Sequence, residues 1–187
     1  ALAAITDGLS RKLGPRPSRT AELDTVRSKA AAQLAELEPQ CGYARIIREE
    51  MPDDGIIVTD VTQMATFIQY GMPAYLPRTI IPPGAQSTLG YAYTTALGAK
   101  VGNPDRRVVA ICGDGGFMFT VQELSTAVAH GIGVVCVVFN DGAYGNVKWV
   151  QKSSYGGRHI AVDLHNPDFV ALARSFGPRH VDLFGGL

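Results

Sequence analysis

Apolar and polar positions alternate in blocks along most of the chain, from about residue 39 onward. Short apolar runs at 55–60, 107–112 and 133–139, with a smaller one at 78–81, predict strands. Strands that are apolar throughout and separated by helices pair in parallel, with both faces of the sheet covered. The pattern therefore predicts an α/β fold with a doubly wound, mainly parallel sheet. Stretches with helical periodicity lie between the runs, at 43–51, 62–70, 90–101, 121–130, 146–152 and after 166–167.

The first 38 residues do not follow this alternation. The Gly- and Pro-containing stretch at 14–18 predicts a linker, and the Ala-, Leu- and Glu-rich stretch at 20–37 predicts a helix without a strand to pack on. We therefore expect residues 1–38 to be the tail of a preceding, central domain together with a linker, and residues 39–187 to be a second domain. The closing residues GPRHVDLFGGL contain no further clear strand and helix, which predicts truncation of that domain at its C-terminus.

Two helix starts carry recognisable capping residues. Thr120, followed three residues later by Glu123, predicts a capping box in which each side chain bonds a backbone N–H at the helix entrance. Asn166 followed by Pro167 predicts a side-chain cap and a proline in the first turn of the last helix.

Composition and charge narrow the classes of function. Of the 187 residues, 46% are hydrophobic and 18% are charged, and 17 Lys and Arg residues balance 17 Asp and Glu residues. A neutral chain lacks the basic surface that nucleic acid or an anionic membrane requires, so we expect neither as a partner. The longest apolar run, at 132–139, is far shorter than the roughly 18 residues of a membrane-spanning helix. Because no basic start precedes an apolar stretch at the N-terminus, we expect a cytoplasmic protein.

The spacing of cysteines and histidines predicts no metal site built from them. Cys41, Cys112 and Cys136 match neither a metal knuckle nor a disulfide framework, and we expect buried thiols. The histidines have no partner spacing and are expected at the solvated surface; they are His130, His159, His165 and His180.

Polar residues follow three of the predicted strands at the point where each strand ends. In parallel α/β sheets, ligands bind outside the carboxyl ends of the strands, so we expect these segments to form one site. The segments are Asp60-Val61-Thr62-Gln63, Gly113-Asp114-Gly115-Gly116 and Asn140-Asp141-Gly142-Ala143.

Asp114 and Asp141 are the candidate ligands of a magnesium ion. The glycines around Asp114 place a carboxylate at a strand tip and leave the N–H groups of Gly115 and Gly116 open to phosphate oxygens. The 27 positions from Asp114 to Asp141 hold one helix and one strand, which returns the chain to the same sheet edge. Two carboxylates, a free carbonyl at Ala143, diphosphate oxygens and water would complete the octahedral shell that Mg²⁺ prefers. A Gly-Asp-Gly turn alone is also typical of a plain strand-to-helix connection, although GxxxxGK and GxGxxG phosphate motifs are absent.

These residues lie within a longer resemblance to a known family. The run GDGGFMFTVQEL followed by VVFNDGAYGNVKW resembles the thiamine-diphosphate motif, which opens with GDG and closes with Asn-Asn. The preceding PPGAQSTLGYAYTTALGAKVGNPDRRVVAICGDGGF resembles the stretch that leads into this motif in acetolactate synthases and benzoylformate decarboxylases, and DVTQM resembles their earlier diphosphate loop. The resemblance extends from about Pro39 to Phe176 and implies the thiamine-diphosphate-binding fold.

The resemblance implies roles at the metal. Asp114 and Asp141 would be side-chain ligands of Mg²⁺, and the Ala143 carbonyl would be a third ligand. Asn140 takes the place of the first Asn of the motif. The chain departs from the family at Asp141, where the family usually has a neutral Asn, so a negative charge stands beside the diphosphate and needs the metal to offset it. Asn140 is therefore the alternative ligand.

The same resemblance implies contacts with thiamine diphosphate. Leu89, 25 positions before Asp114, matches the large apolar residue on which the cofactor bends, so that its pyrimidine amino group approaches thiazolium C2. An ordinary core leucine is the alternative for Leu89. The Ser87 carbonyl would accept a hydrogen bond from the amino group. The expected cofactor-binding set is Val61, Thr62, Gln63, Met64, Ser87, Leu89, Gly113, Gly115, Gly116, Asn140, Ala143 and Tyr144.

The implied activity is that of a thiamine-diphosphate-dependent decarboxylase or carboligase of the acetolactate synthase type, with a 2-keto acid substrate. Such enzymes need a glutamate against the pyrimidine ring, which lies on a separate pyrimidine-binding domain, usually of a second subunit. We therefore expect a homo-oligomer, dimer or tetramer, and an inactive 187-residue chain on its own. Two alternatives remain: a cofactor-free relic domain that serves assembly, and a magnesium-dependent phosphate-handling enzyme with Asp114 as nucleophile.

Overall fold

The computed structural model describes residues 2–13 and 17–177. Part of the linker expected at 14–18, His180 and the expected C-terminal truncation lie outside the described residues. Contacts divide the chain into two units, residues 1–38 and 39–187. Within the described part of the chain, no helix is both long and apolar enough to cross a membrane.

The first unit contains two helices, α1 (Leu2–Lys12) and α2 (Thr20–Ala35). The second of these agrees with the helix predicted at 20–37. Neither helix has a buried residue. The assignment of this unit to the tail of a preceding domain stays a prediction.

The second unit alternates helices and strands, as the hydrophobic pattern predicts. Its helices are α3 (Gln40–Glu50), α4 (Gln63–Gly71), α5 (Tyr91–Gly102), α6 (Asp114–Met118), α7 (Glu123–His130), α8 (Gly145–Ser154) and α9 (Phe169–Ser175). Its strands are β1 (Ile56–Thr59), β2 (Ile80–Ile81), β3 (Val108–Gly113) and β4 (Val135–Phe139), and a short 3₁₀ helix spans Gly84–Gln86.

The strands form one parallel sheet in the order β2-β1-β3-β4. Strand β3 lies between β1 and β4, with Thr59 opposite Ile111 and Gly113 opposite Phe139. The carboxyl ends of β1, β3 and β4 therefore reach the same edge of the sheet. The predicted fold class is confirmed.

Alternate residues of the central strands point to opposite faces of the sheet and supply two cores. One core contains Ile56 and Val58 of β1 with residues of α5, α6 and α7, and the other contains Ile57 of β1 with residues of α3 and α4. Both faces are thus covered by helices, which explains why β1 and the first five residues of β3 are buried on both sides.

Both predicted helix caps are wrong. Thr120 does not cap a helix, because its hydroxyl donates to the Gly90 carbonyl (3.3 Å) and α7 begins only at Glu123, with no side-chain cap. The last helix is capped by Asp168, whose carboxylate accepts from the N–H groups of Val170 (2.9 Å) and Ala171 (3.0 Å). In both cases the residue proposed as a cap bonds to a segment distant in sequence instead.

Candidate functional site

The three polar segments predicted to converge do so at the carboxyl edge of the sheet. A Cβ built on Gly113 would lie 3.6 Å from Cβ of Thr62, which places the loop after β1 against the end of β3. A Cβ built on Gly145 would lie 2.7 Å from Oδ2 of Asp141 and 3.5 Å from Nε2 of Gln63. The loop after β1 therefore also reaches the turn after β4, and one site combines all three strand ends.

Asp114 is one of two buried carboxylates at this edge of the sheet, and the other is Asp60. The side chain of Asp114 is only 2% exposed, and it occupies the first position of α6. Its Oδ2 accepts hydrogen bonds from the Gly142 N–H (2.9 Å) and from Nδ2 of Asn166 (2.6 Å). These two donors fix the orientation of the carboxylate in a place from which water is largely excluded. The turn after β4 thus contributes directly to holding Asp114.

Asn166 is a site residue that the sequence reasoning missed. Its amide nitrogen donates both to Asp114 and to Oδ1 of Asn140 (2.8 Å), so it links the ends of β3 and β4. The sequence predicts a helix cap at Asn166 because Pro167 follows it. Since 52 positions separate Asn166 from Asp114, no local pattern marks this contact.

Asp141 has a less favourable environment than Asp114. Its Oδ1 accepts a hydrogen bond from the Ala143 N–H at 3.3 Å, and the residue is much more exposed than Asp114 although part of it is covered by protein. Partial burial raises the pKa of the Asp141 carboxyl, and the negative charge of Asp114 raises it further. The two carboxylates are therefore close enough to repel each other, which is the arrangement that a cation between them would stabilise.

The carbonyl of Ala143 is not free, contrary to the expectation. It accepts a hydrogen bond from the Gly145 N–H (2.9 Å), because the chain turns tightly into α8. Ala143 is also held in an isolated antiparallel bridge with Asp163. A carbonyl oxygen has two lone pairs, so one acceptor position is left for a metal ion.

Gly115 and Gly116 are positions where a side chain would not fit without movement. A Cβ on Gly115 would lie 2.6 Å from Cε1 of Tyr144 and 3.1 Å from Cδ1 of Leu164. A Cβ on Gly116 would lie 2.8 Å from Oδ2 of Asp60. Their N–H groups fall in the first turn of α6, where helices leave N–H groups without intrahelical partners. The residues thus combine close packing with donors suited to an anion.

Asp60 is a second site residue whose role was missed. The sequence predicts Asp60 among the polar strand ends, whereas its partner Gly90 lies 30 positions away in the chain. Its carboxylate is fully buried and accepts from the N–H groups of Val61 (2.8 Å) and Gly90 (3.1 Å). It therefore connects the loop after β1 with the start of α5.

The other expected cofactor contacts occupy different environments. Leu89 is half-buried and immediately precedes Gly90, the N-cap of α5. Ser87 is exposed and has a left-handed backbone, with φ of 47°. The side chain of Met64 is buried in the core beneath the sheet, so only its backbone is available to a ligand at the edge.

A cavity of about 370 Å³ opens between the first turn of α6 and the segment that contains Leu164, His165 and Asn166. Its lining includes His165, which is exposed as expected yet lies next to the site. In the part of the chain that the structure describes, no group of three or more His, Cys, Asp or Glu side chains could hold a metal ion. A metal here would need backbone or ligand oxygens in addition to Asp114 and Asp141. The cavity is lined by Gly115, Met118, Phe119, Tyr144, Leu164, His165 and Asn166.

Comparisons with known proteins agree on one family. The model of the family "Thiamine pyrophosphate enzyme, C-terminal TPP binding domain" matches residues 60–183. The acetolactate synthase large subunit of Parasynechococcus marenigrum is 40% identical over 134 residues, which are 68% of this chain and 21% of that protein. A protein of Pseudomonas aeruginosa named "Probable 2-ketoarginine decarboxylase" is 33% identical over 169 residues, which are 90% of this chain and 30% of that protein.

A solved structure shows the same fold. The thiamine diphosphate-dependent 4-hydroxybenzoylformate decarboxylase of Rhodococcus jostii RHA1 superposes with a TM-score of 0.68 and 29% sequence identity. The superposition covers 74% of this chain and 26% of that chain. The chain thus spans less than a third of the length of each of these three proteins.

Proposed function

Since the chain belongs to the family of C-terminal, TPP-binding domains of thiamine pyrophosphate enzymes, we propose that its strand-end site holds the diphosphate of thiamine diphosphate through Mg²⁺. The family resemblance in the sequence is confirmed, and the metal and the individual contacts are the proposal. One observation carries it. The Asp114 carboxylate lies enclosed where three strands end, beside Gly115 and Gly116 and near a second carboxylate, Asp141.

The residues present fit a magnesium ion. Asp114 and Asp141 supply carboxylate oxygens, and Ala143 supplies the second lone pair of its carbonyl. Asn140 is the alternative to Asp141, since its Oδ1 already accepts from Asn166 at the same edge. An ion at this position would replace the repulsion between the two carboxylates by attraction to a shared cation. The charge of the ion would also compensate the negative charge of Asp141, at the position where the family usually has a neutral Asn.

The same edge fits a diphosphate. The N–H groups of Gly115 and Gly116 point out of the first turn of α6 and are suited to phosphate oxygens. The loop after β1 contains Val61 and Thr62 and packs against the end of β3, and Gln63 at the start of α4 reaches the turn after β4. The remaining expected contacts are Gly113, Met64 through its backbone, and Tyr144, whose ring covers Gly115.

Leu89 and Ser87 complete the proposed cofactor site. Leu89 would support the bent cofactor, and the Ser87 carbonyl would accept a hydrogen bond from the pyrimidine amino group. When bound, thiamine diphosphate supplies a carbanion that adds to the carbonyl carbon of a 2-keto acid. The role of this chain is to anchor and orient the cofactor within a 2-keto acid decarboxylase or carboligase of the acetolactate synthase type.

The activity would belong to a larger assembly. The glutamate that such enzymes place against the pyrimidine ring would come from a pyrimidine-binding domain of the same protein or of a second subunit in a homo-oligomer. We therefore expect the 187-residue chain, purified alone and mixed with cofactor and 2-keto acids, to give no turnover. Decarboxylation or ligation by that chain alone would contradict this expectation.

The magnesium-dependent phosphate enzyme is less well supported. In that alternative one oxygen of Asp114 attacks a phosphorus atom, so the carboxylate must be free to turn towards it. Its side chain is only 2% exposed, and Oδ2 is occupied by two donors. These contacts suit a carboxylate that is fixed in place better than a nucleophile.

Calorimetric titration of thiamine diphosphate with Mg²⁺ into the full-length protein tests the proposal. In Asp114→Ala we expect affinity to fall about a hundredfold, because a lost charged interaction removes roughly 3 kcal/mol. Asp105→Ala is the matched control, since Asp105 is an exposed carboxylate in the turn before β3, at the amino end of that strand. Equal binding by the wild type and Asp114→Ala would refute the site, and a Mg²⁺-independent affinity would refute the metal.

A further inference from the structure

We propose that Asp60 is a positioning residue, which ties together the three chain segments proposed to contact thiamine diphosphate. These segments are the loop that begins at Val61, the start of α5 next to Leu89, and the first turn of α6 at Gly116. The inference rests on the proposed function. Asp60 itself would not touch the cofactor, because its side chain has no exposed surface.

The first link runs from Asp60 to its own loop. Its Oδ1 accepts from the Val61 N–H at 2.8 Å, and its backbone N–H donates to the Ile111 carbonyl at 2.9 Å. The second bond extends the pairing of β1 with β3 by one residue. The loop therefore leaves the sheet in a direction that the carboxylate fixes.

The second link runs to α5. Oδ2 of Asp60 accepts from the N–H of Gly90 at 3.1 Å, thirty positions later in the chain. Gly90 has φ of 83° and is the N-cap of this helix of 12 residues. Burial raises the pKa of Asp60, whereas N–H groups of Val61, Gly90, Ala92 and Tyr91 lower it, so the carboxylate interacts with the whole start of the helix. Leu89 directly precedes Gly90 and is positioned through this contact.

The third link is steric. A Cβ on Gly116 would lie 2.8 Å from Oδ2 and 3.0 Å from Cγ of Asp60, so the carboxylate packs directly on the backbone of α6. Gly90 packs closely on the residues after α6, because a Cβ on Gly90 would lie 2.9 Å from Cγ2 of Thr120. Movement of the Asp60 carboxylate would therefore change the positions of Gly116 and Leu89 together.

The test compares cofactor affinity with stability in the full-length protein. Asp60→Ala removes the carboxylate contacts of all three links and keeps only the backbone bond to Ile111. Asp60→Asn keeps the shape but places an amide N–H against a backbone N–H. The control is Thr79→Val, which removes a buried hydrogen bond to the Leu76 carbonyl before β2, at the opposite edge of the sheet. Calorimetry measures thiamine diphosphate affinity with saturating Mg²⁺, and thermal unfolding without cofactor measures stability.

We expect Asp60→Ala to lose about tenfold or more in cofactor affinity and Asp60→Asn to lose less. Thr79→Val should keep the wild-type affinity even when its unfolding temperature falls as far. An unchanged affinity in Asp60→Ala, or an equal loss in Thr79→Val, would overturn the positioning role. Absence of Mg²⁺-dependent binding in the wild type would instead refute the proposed function.

A double-mutant cycle gives a signal that general destabilisation would not. Gly116→Ala should lose about tenfold in affinity in the wild type, because its new methyl group meets the Asp60 carboxylate. In Asp60→Ala the methyl group has room, and we expect a loss below about threefold. Equal losses in both backgrounds would contradict direct action of Asp60 on Gly116.

Discussion

The turn after β3 and the turn after β4 each place a carboxylate at the same edge of the sheet, but the two carboxylates differ in burial and in hydrogen bonding. Asp114 is 2% exposed and accepts two short hydrogen bonds from outside its own turn. Asp141 is exposed, and it accepts a hydrogen bond from the Ala143 N–H, two residues away, at 3.3 Å. The position of the Asp114 carboxylate is therefore determined by hydrogen bonds from other segments of the chain. The Asp141 carboxylate is open to solvent and to any ligand that binds there.

The position of each strand in the sheet explains the contrast. In the described part of the chain β3 has neighbours on both sides, whereas β4 pairs only with β3 and is at most half-buried. Loops from both neighbours can close over a residue at the end of a central strand. A residue at the end of an outer strand has a neighbouring strand on one side only. In the proposed magnesium site, the buried Asp114 would be a rigid ligand and the exposed Asp141 would be one that can adjust its position.

The largest expected effect concerns the turn after β3. Gly115→Ala would bring a methyl group to 2.6 Å from Cε1 of Tyr144 and to 3.1 Å from Cδ1 of Leu164, so at least two side chains would have to shift. We expect a loss of about 1–3 kcal/mol in the free energy of unfolding, measured by urea denaturation. Gly98→Ala in α5 is the control, because nothing lies within 4 Å of its new methyl group; that variant should gain up to about 1 kcal/mol. Similar losses in both variants would show that the tight fit at Gly115 is not the cause.

The next effect concerns the link between the two turns. Asn166→Ala removes one of the two donors to Asp114 and the donor to Asn140, which should cost about 1 kcal/mol of stability. It should also weaken Mg²⁺-dependent cofactor binding by about tenfold or more, as for other residues that hold a metal ligand. Asn146→Ala, at an exposed position of α8, is the matched control for both measurements. Wild-type behaviour of Asn166→Ala would mean that the turns are held independently.

A smaller effect, of opposite sign, concerns Asp141. Because the folded pKa of this carboxyl is raised, by burial and then by Asp114, the folded protein binds protons more tightly than the unfolded chain. Stability then falls as pH rises through the window above the ordinary value of 3.8. In chelator at neutral pH, Asp141→Asn should therefore be more stable than the wild type, and the difference should vanish at lower pH. With metal present the same variant should bind the cofactor more weakly, and tighter binding would favour Asn140 as the ligand.

The sequence predicts those features of the structure that depend on residues close together in the chain. Continuous apolar runs predicted β1 and β3, which are buried on both faces, and also β4, which is at most half-buried. Asp114 was predicted because glycines surround it at a strand end. The helix α6 was missed, since two of its five residues are glycines and its position depends on packing. The bonds of Asn166 to Asp114 and of Asp60 to Gly90 span 52 and 30 positions, and only the folded chain brings them together.

The smallest effect tests whether a charged contact or buried packing holds the segment that follows α8. Lys148 donates to Oδ1 of Asp163 at 2.7 Å, with the two side chains 40% and 77% exposed. This hydrogen bond lowers the pKa of Asp163, so its contribution exists above 3.8 and is lost as pH falls through the folded value. We expect Lys148→Ala to change stability only slightly, and not at all in high salt, because exposed pairs are screened.

Val162 provides the comparison for that ion pair. It is 1% exposed, and its carbonyl accepts from the Tyr144 N–H at 2.8 Å, next to the candidate site. Val162→Ala should cost about 1–3 kcal/mol of buried apolar contact and should weaken cofactor binding, whereas Lys148→Ala should leave binding unchanged. A larger loss in Lys148→Ala than in Val162→Ala would reverse this order and make charge, rather than packing, the interaction that holds the turn after β4 beside Asp114.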